Sequence, residues 1–429
     1  MLRGIGLATA FAALPLPAMA EAATAPNSGD TAWVIAASAL VLLMTLPGLA
    51  MFYAGQVRAQ AVLSVVMHCL AIACLSSVLW LAAGYSLAFG DSVGGIVGGF
   101  GKAFFAGVGP DALRGAIPEI VFAVFQMGFA IVAPALMLGA WVERIRFPVV
   151  LIVSGAWLLL VYAPVCHWVR GGGWLAELGV MDFAGGLVVH ACAGISALTI
   201  AKLLGGRRGF PGDIPPPHNP GMTAFGAALL WVGWFGFSGG SALAADATAG
   251  MAMAATHIAA ASAAMSWAAI EWIRSGKASL VGAVTGAVSG LAASASASGF
   301  IGPVGALALG AVAGAVCFAA TETVRKSWKI DDSLGVFAVH GVGGVAGTLL
   351  VAVLASQSLG GPGLEDGVAA GGRLGVQALG VLAVAAWAAV GTFVIVKAAG
   401  ALAGGLRVDE EDELVGLDLA AHGERGYDL

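Results

Sequence analysis

An all-α polytopic membrane protein is predicted by three features of this 429-residue chain: its composition, the length of its apolar runs and the placement of its charges. Hydrophobic residues make up 59% of it and charged residues 10%. Its mean hydropathy is +0.94, far outside the range of water-soluble domains. Apolar runs long enough to cross a bilayer begin near Thr31, Gln60, Ile117, Phe147, Phe183, Met222, Met251, Ser279, Ile301, Leu334 and Leu374, which predicts eleven transmembrane helices. The connections between them alternate in charge. Arg58, Arg144, Arg146, Lys202, Arg207, Arg208, Arg274, Lys277, Arg325, Lys326 and Lys329 fall on one side, and Lys102, Arg114, Arg170 and Arg373 on the other. Basic loops stay inside. The N-terminus is therefore expected outside and the C-terminus in the cytoplasm, in a bacterial-type inner membrane.

Residues 1–20 carry Arg3, then an apolar stretch closing on Ala18-Met19-Ala20, the pattern of a cleavable signal peptide. The transmembrane domain is expected over 31–403, and the polar residues 404–429 form a cytoplasmic tail. Within the domain two stretches stand out: Asp182 to His190 and Asp332 to His340, each with an Asp eight residues before a His. These lie on the fifth and tenth predicted helices. Two five-helix halves, about 31–205 and 222–356, are then inserted in opposite senses, with a last helix at about 373–402. Such two inverted five-helix repeats place their site at the midplane. If each Asp caps its helix near one face, about 1.5 Å of rise per residue carries each His roughly 12 Å inward. In a hydrocarbon core about 30 Å thick the two rings then come within roughly 6 Å in depth. A single intramembrane His is as readily a core residue bonded to a local carbonyl as a functional group. A matched pair favours function.

Other features carry less. The five cysteines fall mostly in apolar runs and give no disulfide framework or metal spacing. No basic patch suggests nucleic acid. Neither a phosphate loop nor a nucleophile elbow is present, so an enzyme is not expected. His68 and His257 lack partners in the pattern and read as locally satisfied, and His218, in the proline-rich 212–220 connection, reads as solvated. Gly282, Gly286 and Gly290, with Gly310 and Gly314, recur four apart, as in closely packed helices. Phe125 and Phe129 lie one turn apart, and Trp231, Trp234, Phe235 and Phe237 precede Ser238 and Ser241. Aromatic faces attract a desolvated cation and a hydroxyl can accept from an N–H donor, but spacing alone does not separate this from ordinary core packing.

Five ordered motifs, Trp141-Val142-Glu143-Arg144-Ile145-Arg146-Phe147, Asp182-Phe183-Ala184-Gly185-Gly186 with His190, Gly233-Trp234-Phe235-Gly236-Phe237, Val339-His340-Gly341 and the tail from Gly405 to Asp418, resemble the ammonium transporter (Amt/Mep/Rh) family, on its Amt branch. The resemblance implies a homotrimer with one narrow pore per subunit and a PII-type signalling protein at the tail. It implies ammonium or ammonia as the transported species, the lipid bilayer as surroundings, and no cofactor. Carried onto this chain, it makes Phe129 and Phe237 the gate, with Phe125 alongside and Trp234 near it. Ser241 becomes the vestibule hydroxyl, Asp182 the buried acid beneath the recruitment site, and His190 and His340 the twin pair lining an apolar lumen. The acids of the tail, Asp409 to Glu413, are expected to pair with Arg144, Arg146, Arg325 and Lys326.

The chain also departs from the pattern. Arg170 stands before Gly171-Gly172-Gly173 where the family usually has a vestibule Trp, Ala295-Ser296 replaces a Thr-Pro, and Gly335 stands where an Asp is usual five residues before the second His. Arg170 can snorkel into outer water, or place a fixed positive charge at the mouth that repels ammonium. An ammonium-sensing receptor of the same fold, with little flux, is the alternative to a conducting protein. Passage of another small neutral molecule is a third, weaker reading.

Overall fold

The computed structural model describes residues 25–364 and 368–428; the expected signal peptide at 1–20 lies outside them. Among the described residues eleven helices are long and apolar enough to span a bilayer. They are α1 (Ser28–Ala54), α2 (Ala59–Phe89), α3 (Glu119–Ala140), α4 (Phe147–Glu177), α5 (Gly186–Leu204), α6 (Pro220–Gly240), α7 (Ala247–Ser275), α8 (Leu280–Ala297), α9 (Pro303–Ser327), α10 (Phe337–Leu354) and α11 (Ala370–Leu402). Short tail helices follow, α12 (Glu410–Val415) and α13 (Leu417–His422). Two small hairpins, β1 (Ser92–Val93) with β2 (Val97–Gly98) and β3 (Leu113–Arg114) with β4 (Ile117–Pro118), fold the long α2–α3 connection.

Polar residues at the helix starts satisfy orphan backbone donors. Asn219 caps α6 through Met222 N at 2.9 Å, Asp246 caps α7 through Ala249 N at 3.0 Å, and Ser279 caps α8 through Gly282 N at 2.9 Å. Glycines let α7 lie against both α8 and α9. A Cβ at Gly286 or Gly314 would run into the Ala263 carbonyl, and one at Gly290 or Gly310 into that of Ala259. Ser262 and Ser266 then donate across to the carbonyls of Leu307 (2.8 Å) and Ala311 (2.9 Å), using the close approach for interhelical hydrogen bonds.

The charged residues gather at the helix ends. In the turn after α3, Glu143 accepts from Arg58 Nε and from Arg207 Nη1, each at 3.1 Å. Arg207 reaches Asp331 at 3.0 Å, and the fully buried Arg144 donates to Ser333 Oγ at 2.7 Å and to the Asp331 carbonyl at 2.9 Å. Burial pushes the Glu143 carboxyl up, but the guanidinium charges of Arg207 and Arg58 outweigh it and hold its pKa below the ordinary 4.5. Burial acts on Asp331 in the same way, and Arg207 and Arg144 overcome it there.

The tail docks on this cluster, though through fewer acids than its composition suggests. Arg146 N donates to Leu406 O and Val408 N to Arg144 O, both at 3.0 Å, laying residues 406–408 along the turn after α3. Of the run Asp409 to Glu413, only Glu413 is buried. Its carboxylate accepts from Arg208 N (2.7 Å) and Arg407 Nη2 (2.5 Å), and its carbonyl from Arg58 Nη2 (2.7 Å). Asp418 accepts from Ser64 N at 2.7 Å. Arg146 pairs with Asp409 at 3.6 Å as expected. Among the described residues Arg144 and Lys326 have no ion pair with the tail: Arg144 lies 3.8 Å from Asp331 of the α9–α10 connection, and Lys326 pairs with Glu322 one turn back in α9. Arg325 has no ion pair among the described residues.

Two histidines also depart from expectation. His218 is half-buried against the tail, its Nδ1 2.9 Å from Val57 O and its ring 5.5 Å from that of Tyr427, and so is less solvated than expected. His68 is buried with neither ring nitrogen hydrogen-bonded, stacked at 5.6 Å on Phe147 and edge-on to His422 of the tail.

Glu143→Gln leaves two guanidinium groups facing a neutral amide. Breaking a buried ion pair costs about 3–5 kcal/mol, so the variant should unfold at a lower temperature in detergent at pH 7. Because the Glu143 pKa is depressed by folding, its contribution is present above the ordinary carboxylate value and is lost as pH falls through the folded one. Parent and variant unfolding temperatures should therefore converge on acidification, as measured by thermal unfolding across a pH series.

Candidate functional site

The two helices that carry the matched histidines start in the same way. Asp182 Oδ2 accepts from Leu187 N (3.1 Å) and Val188 N (2.9 Å), capping the first turn of α5. Asp332 accepts from Val336 N (2.9 Å) and Phe337 N (2.8 Å), capping the segment that leads into α10. Each cap is followed by a π-helical turn, Gly186–Ala191 and Phe337–Gly341, and each turn contains the His. A π turn is a locally wide helix that appears mainly at functional positions. Here it changes the direction in which each imidazole leaves its helix.

The helices cross where both lack side chains. A Cβ at Gly194 would overlap the backbone of Gly341, and one at Gly344 would press on Gly186 O and on the His190 side chain. This approach brings His190 Nδ1 to 3.2 Å from His340 Nδ1, with the rings stacked at 5.2 Å and 18°. Both rings are buried. Two facing Nδ1 atoms bond only if one carries the proton and the other accepts it, so the pair holds two different tautomers. His190 Nε2 has no hydrogen-bond partner among the described residues, which leaves it for something that passes.

A column of aromatic rings continues from the pair. Trp234 stacks on His190 at 5.0 Å and 15°, and Phe237 lies 5.7 Å from the same imidazole. Phe129 stacks on Phe237 at 4.3 Å and 23°, and Phe125 meets Phe129 edge-on at 5.1 Å. Phe125, Phe129, Trp234 and Phe237 are all buried. Ser241, one turn beyond Phe237 and half-buried, donates its hydroxyl hydrogen to Phe237 O at 2.9 Å, so its oxygen is left to accept. Arg170 does not snorkel away: its Cζ lies over the Phe129 ring, 5.3 Å from the centroid.

Of the nine residues expected at the site, His190, His340, Trp234, Phe237, Phe129, Phe125, Ser241 and Arg170 are joined contact by contact, and Asp182 caps the helix from which His190 projects. Gly194, Gly341 and Gly344 were not singled out, although small residues in an apolar run were the available signal. Gln126 was also missed. It is buried beside Phe125 in sequence with neither amide atom hydrogen-bonded, and an amide within an apolar span is itself a signal.

The chain matches known proteins over nearly its whole length. The model of the Ammonium Transporter Family matches residues 32–427. An ammonium transporter of Archaeoglobus fulgidus is 42% identical over 402 residues, covering 94% of this chain and all of that protein. One of Bacillus subtilis is 41% identical, covering 93% of this chain and 98% of that one. Among solved structures, one titled Sensor Amt Protein superposes with a TM-score of 0.86 at 32% identity, covering 92% of this chain and 98% of that one. Mep2 of Saccharomyces cerevisiae superposes with a TM-score of 0.81 at 31% identity, covering 90% of this chain and 89% of that one. The chain belongs to the ammonium transporter family, whose members are membrane transport proteins and not enzymes.

Proposed function

We propose that the chain recruits ammonium at an outer vestibule and passes ammonia, with or without a separately moving proton, through a hydrophobic pore closed by Phe129 and Phe237 and lined by His190 and His340. The observation that carries this reading is the 3.2 Å contact between the two histidines, directly behind stacked rings. A bare metal ion entering that column exchanges its hydration for aromatic and aliphatic surface, at a prohibitive cost. Ammonium can leave its proton and enter as a neutral molecule of the same size. The imidazole pair then offers it an acceptor and a donor, which potassium cannot use.

In this reading Phe125 supports the gate, Trp234 holds the His190 ring by stacking, Ser241 accepts from ammonium at the mouth, and Asp182 fixes the turn from which His190 projects. The transmembrane domain comprises 31–403, its halves related as inverted repeats, in a bacterial-type inner membrane with the N-terminus outside. The protein works as a homotrimer, and its tail, 404–429 in the cytoplasm, receives a PII-type protein. Sensing with little flux is the second reading. It is favoured by the cation over Phe129 and by the likeness to a structure titled as a sensor.

His190→Leu and His340→Leu remove the polar lining while preserving volume. Each should leave a folded protein with lost or altered ammonium passage. Ammonium uptake and ammonium-over-potassium selectivity in proteoliposomes check this, and unchanged values for both in both variants would remove the twin histidines from the mechanism.

The tail gives a separate expectation. The Glu413 carboxylate is held by the Arg208 amide and the Arg407 guanidinium, so Glu413→Ala, which keeps only the bond from Arg58 to the Glu413 carbonyl, should loosen the tail and expose it to limited proteolysis. Truncation after Gly405 should change ammonium flux or the response to a PII-type protein, while the helices stay in the membrane. Normal flux together with a normal PII response would reduce the tail to a solvated end.

A further inference from the structure

Phe129 has two faces, and Phe237 stacks on one of them at 4.3 Å. No second group fits between rings so close, so the Arg170 guanidinium, over the ring at 5.3 Å, covers the other. In the ammonium-pore reading, that face is where a cation arriving at the gate meets its first aromatic surface. A guanidinium is planar, delocalised and weakly hydrated, and it settles on aromatic faces more readily than other side-chain cations.

The placement is built in on the backbone side and free on the other. Arg170 is the last residue of the long helical run of α4, followed by Gly171-Gly172-Gly173 with φ of +84° at Gly172. That break is pinned. Gly173 N donates to His167 O at 2.9 Å, the His167 ring lies 3.0 Å from Ala88 O, and the Trp168 indole donates to Ile96 O at 2.7 Å. A Cβ at Gly171 would overlap the Ala88 carbonyl. The Arg170 side chain, by contrast, is half-buried and makes no hydrogen bond or ion pair among the described residues. A fixed base thus carries a cation that lies over Phe129 within the field of the buried Asp182 carboxylate and without a hydrogen bond among the described residues, a placement open to exchange.

We propose that Arg170 is a tethered occupant of the outer cation site, so that ammonium reaches the face of Phe129 only by displacing the chain's own guanidinium. This rests on the ammonium-pore reading and adds to it a built-in competitor. Occupancy by Arg170 lowers apparent affinity for small cations at the mouth and leaves the path beyond the gate unaltered. The ligand class of the vacated site is a small monovalent cation able to lie on an aromatic face: ammonium, methylammonium or free guanidinium.

The test uses the full chain in detergent and in proteoliposomes, with Arg170→Gln, Arg170→Trp and Arg170→Lys. Ammonium binding is measured by titration calorimetry with and without free guanidinium, and flux is measured in parallel. Arg170→Gln and Arg170→Trp should bind ammonium roughly ten- to a hundredfold more tightly than the parent, the range that follows from one vacated cation–π contact and one removed like charge. Free guanidinium should compete with ammonium in Arg170→Gln and have little effect in the parent. Arg170→Lys, which keeps the charge, should stay near the parent. Equal ammonium affinity in the parent and both neutral variants would overturn the proposal, as would a folded Arg170→Gln in which guanidinium does not compete. Tighter binding without flux in any variant would uphold the tethered cation and remove the transport reading. Flux at unchanged affinity in every variant would do the reverse.

Discussion

The crossing of α5 and α10 is the constraint on which the candidate pore depends. Two imidazoles can touch inside a membrane protein only if their helices approach more closely than side chains normally allow. Gly194, Gly341 and Gly344 supply that approach by presenting bare backbone. The π turns then aim the rings at each other, and Asp182 and Asp332 pin those turns by taking up backbone amides that would otherwise be orphaned. In lipid this arrangement is demanding, because an unsatisfied polar group has no water to turn to. Each histidine solves part of the other's problem through the Nδ1 contact, and the partnerless Nε2 of His190 is what remains for a passing molecule.

Charge is handled by separation. Between His340 and Phe125 the column is built of imidazole, indole and phenyl rings, while Arg58, Glu143, Arg144, Arg207 and Asp331 form a cluster joining the ends of α2, α3, α5 and α9. The tail is attached to this cluster through Glu413 and to α2 through Asp418. A change in the tail therefore acts on residues that fix the helix ends and has no need to reach the histidines directly. His68, Phe147 and His422 extend the same attachment by ring contacts. At the other end of the column Arg170 lies over the Phe129 ring.

Much of this was legible in the sequence, for identifiable reasons. Helix number follows from apolar run length, and the predicted starts lie within four residues of those observed, with Phe147 coinciding. The Asp-to-His spacing gave the meeting of His190 and His340 because helical rise and bilayer thickness leave little freedom in depth. Lateral contact was another matter: rise says nothing about which way a ring points, and the π turns have no signature in residue type. The direction taken by Arg170 was equally hidden, since a long flexible side chain at a helix end reaches water or a neighbouring ring with equal ease. His218 read as solvated because the tail that covers it is distant in sequence. For the acidic run, composition could not separate the buried Glu413 from its exposed neighbours, a distinction set by the turn after α3 against which it lies.

The proposed pore passes a molecule able to shed a proton and stops a metal ion of similar size. That selectivity is tested most directly by giving proteoliposomes of the parent protein matched ammonium and potassium pulses while recording both current and internal pH. The expected result is a saturable response to ammonium in current, internal pH or both, absent from protein-free vesicles, and none to potassium. A potassium response of comparable size, or no ammonium response from protein shown to be folded, would contradict it.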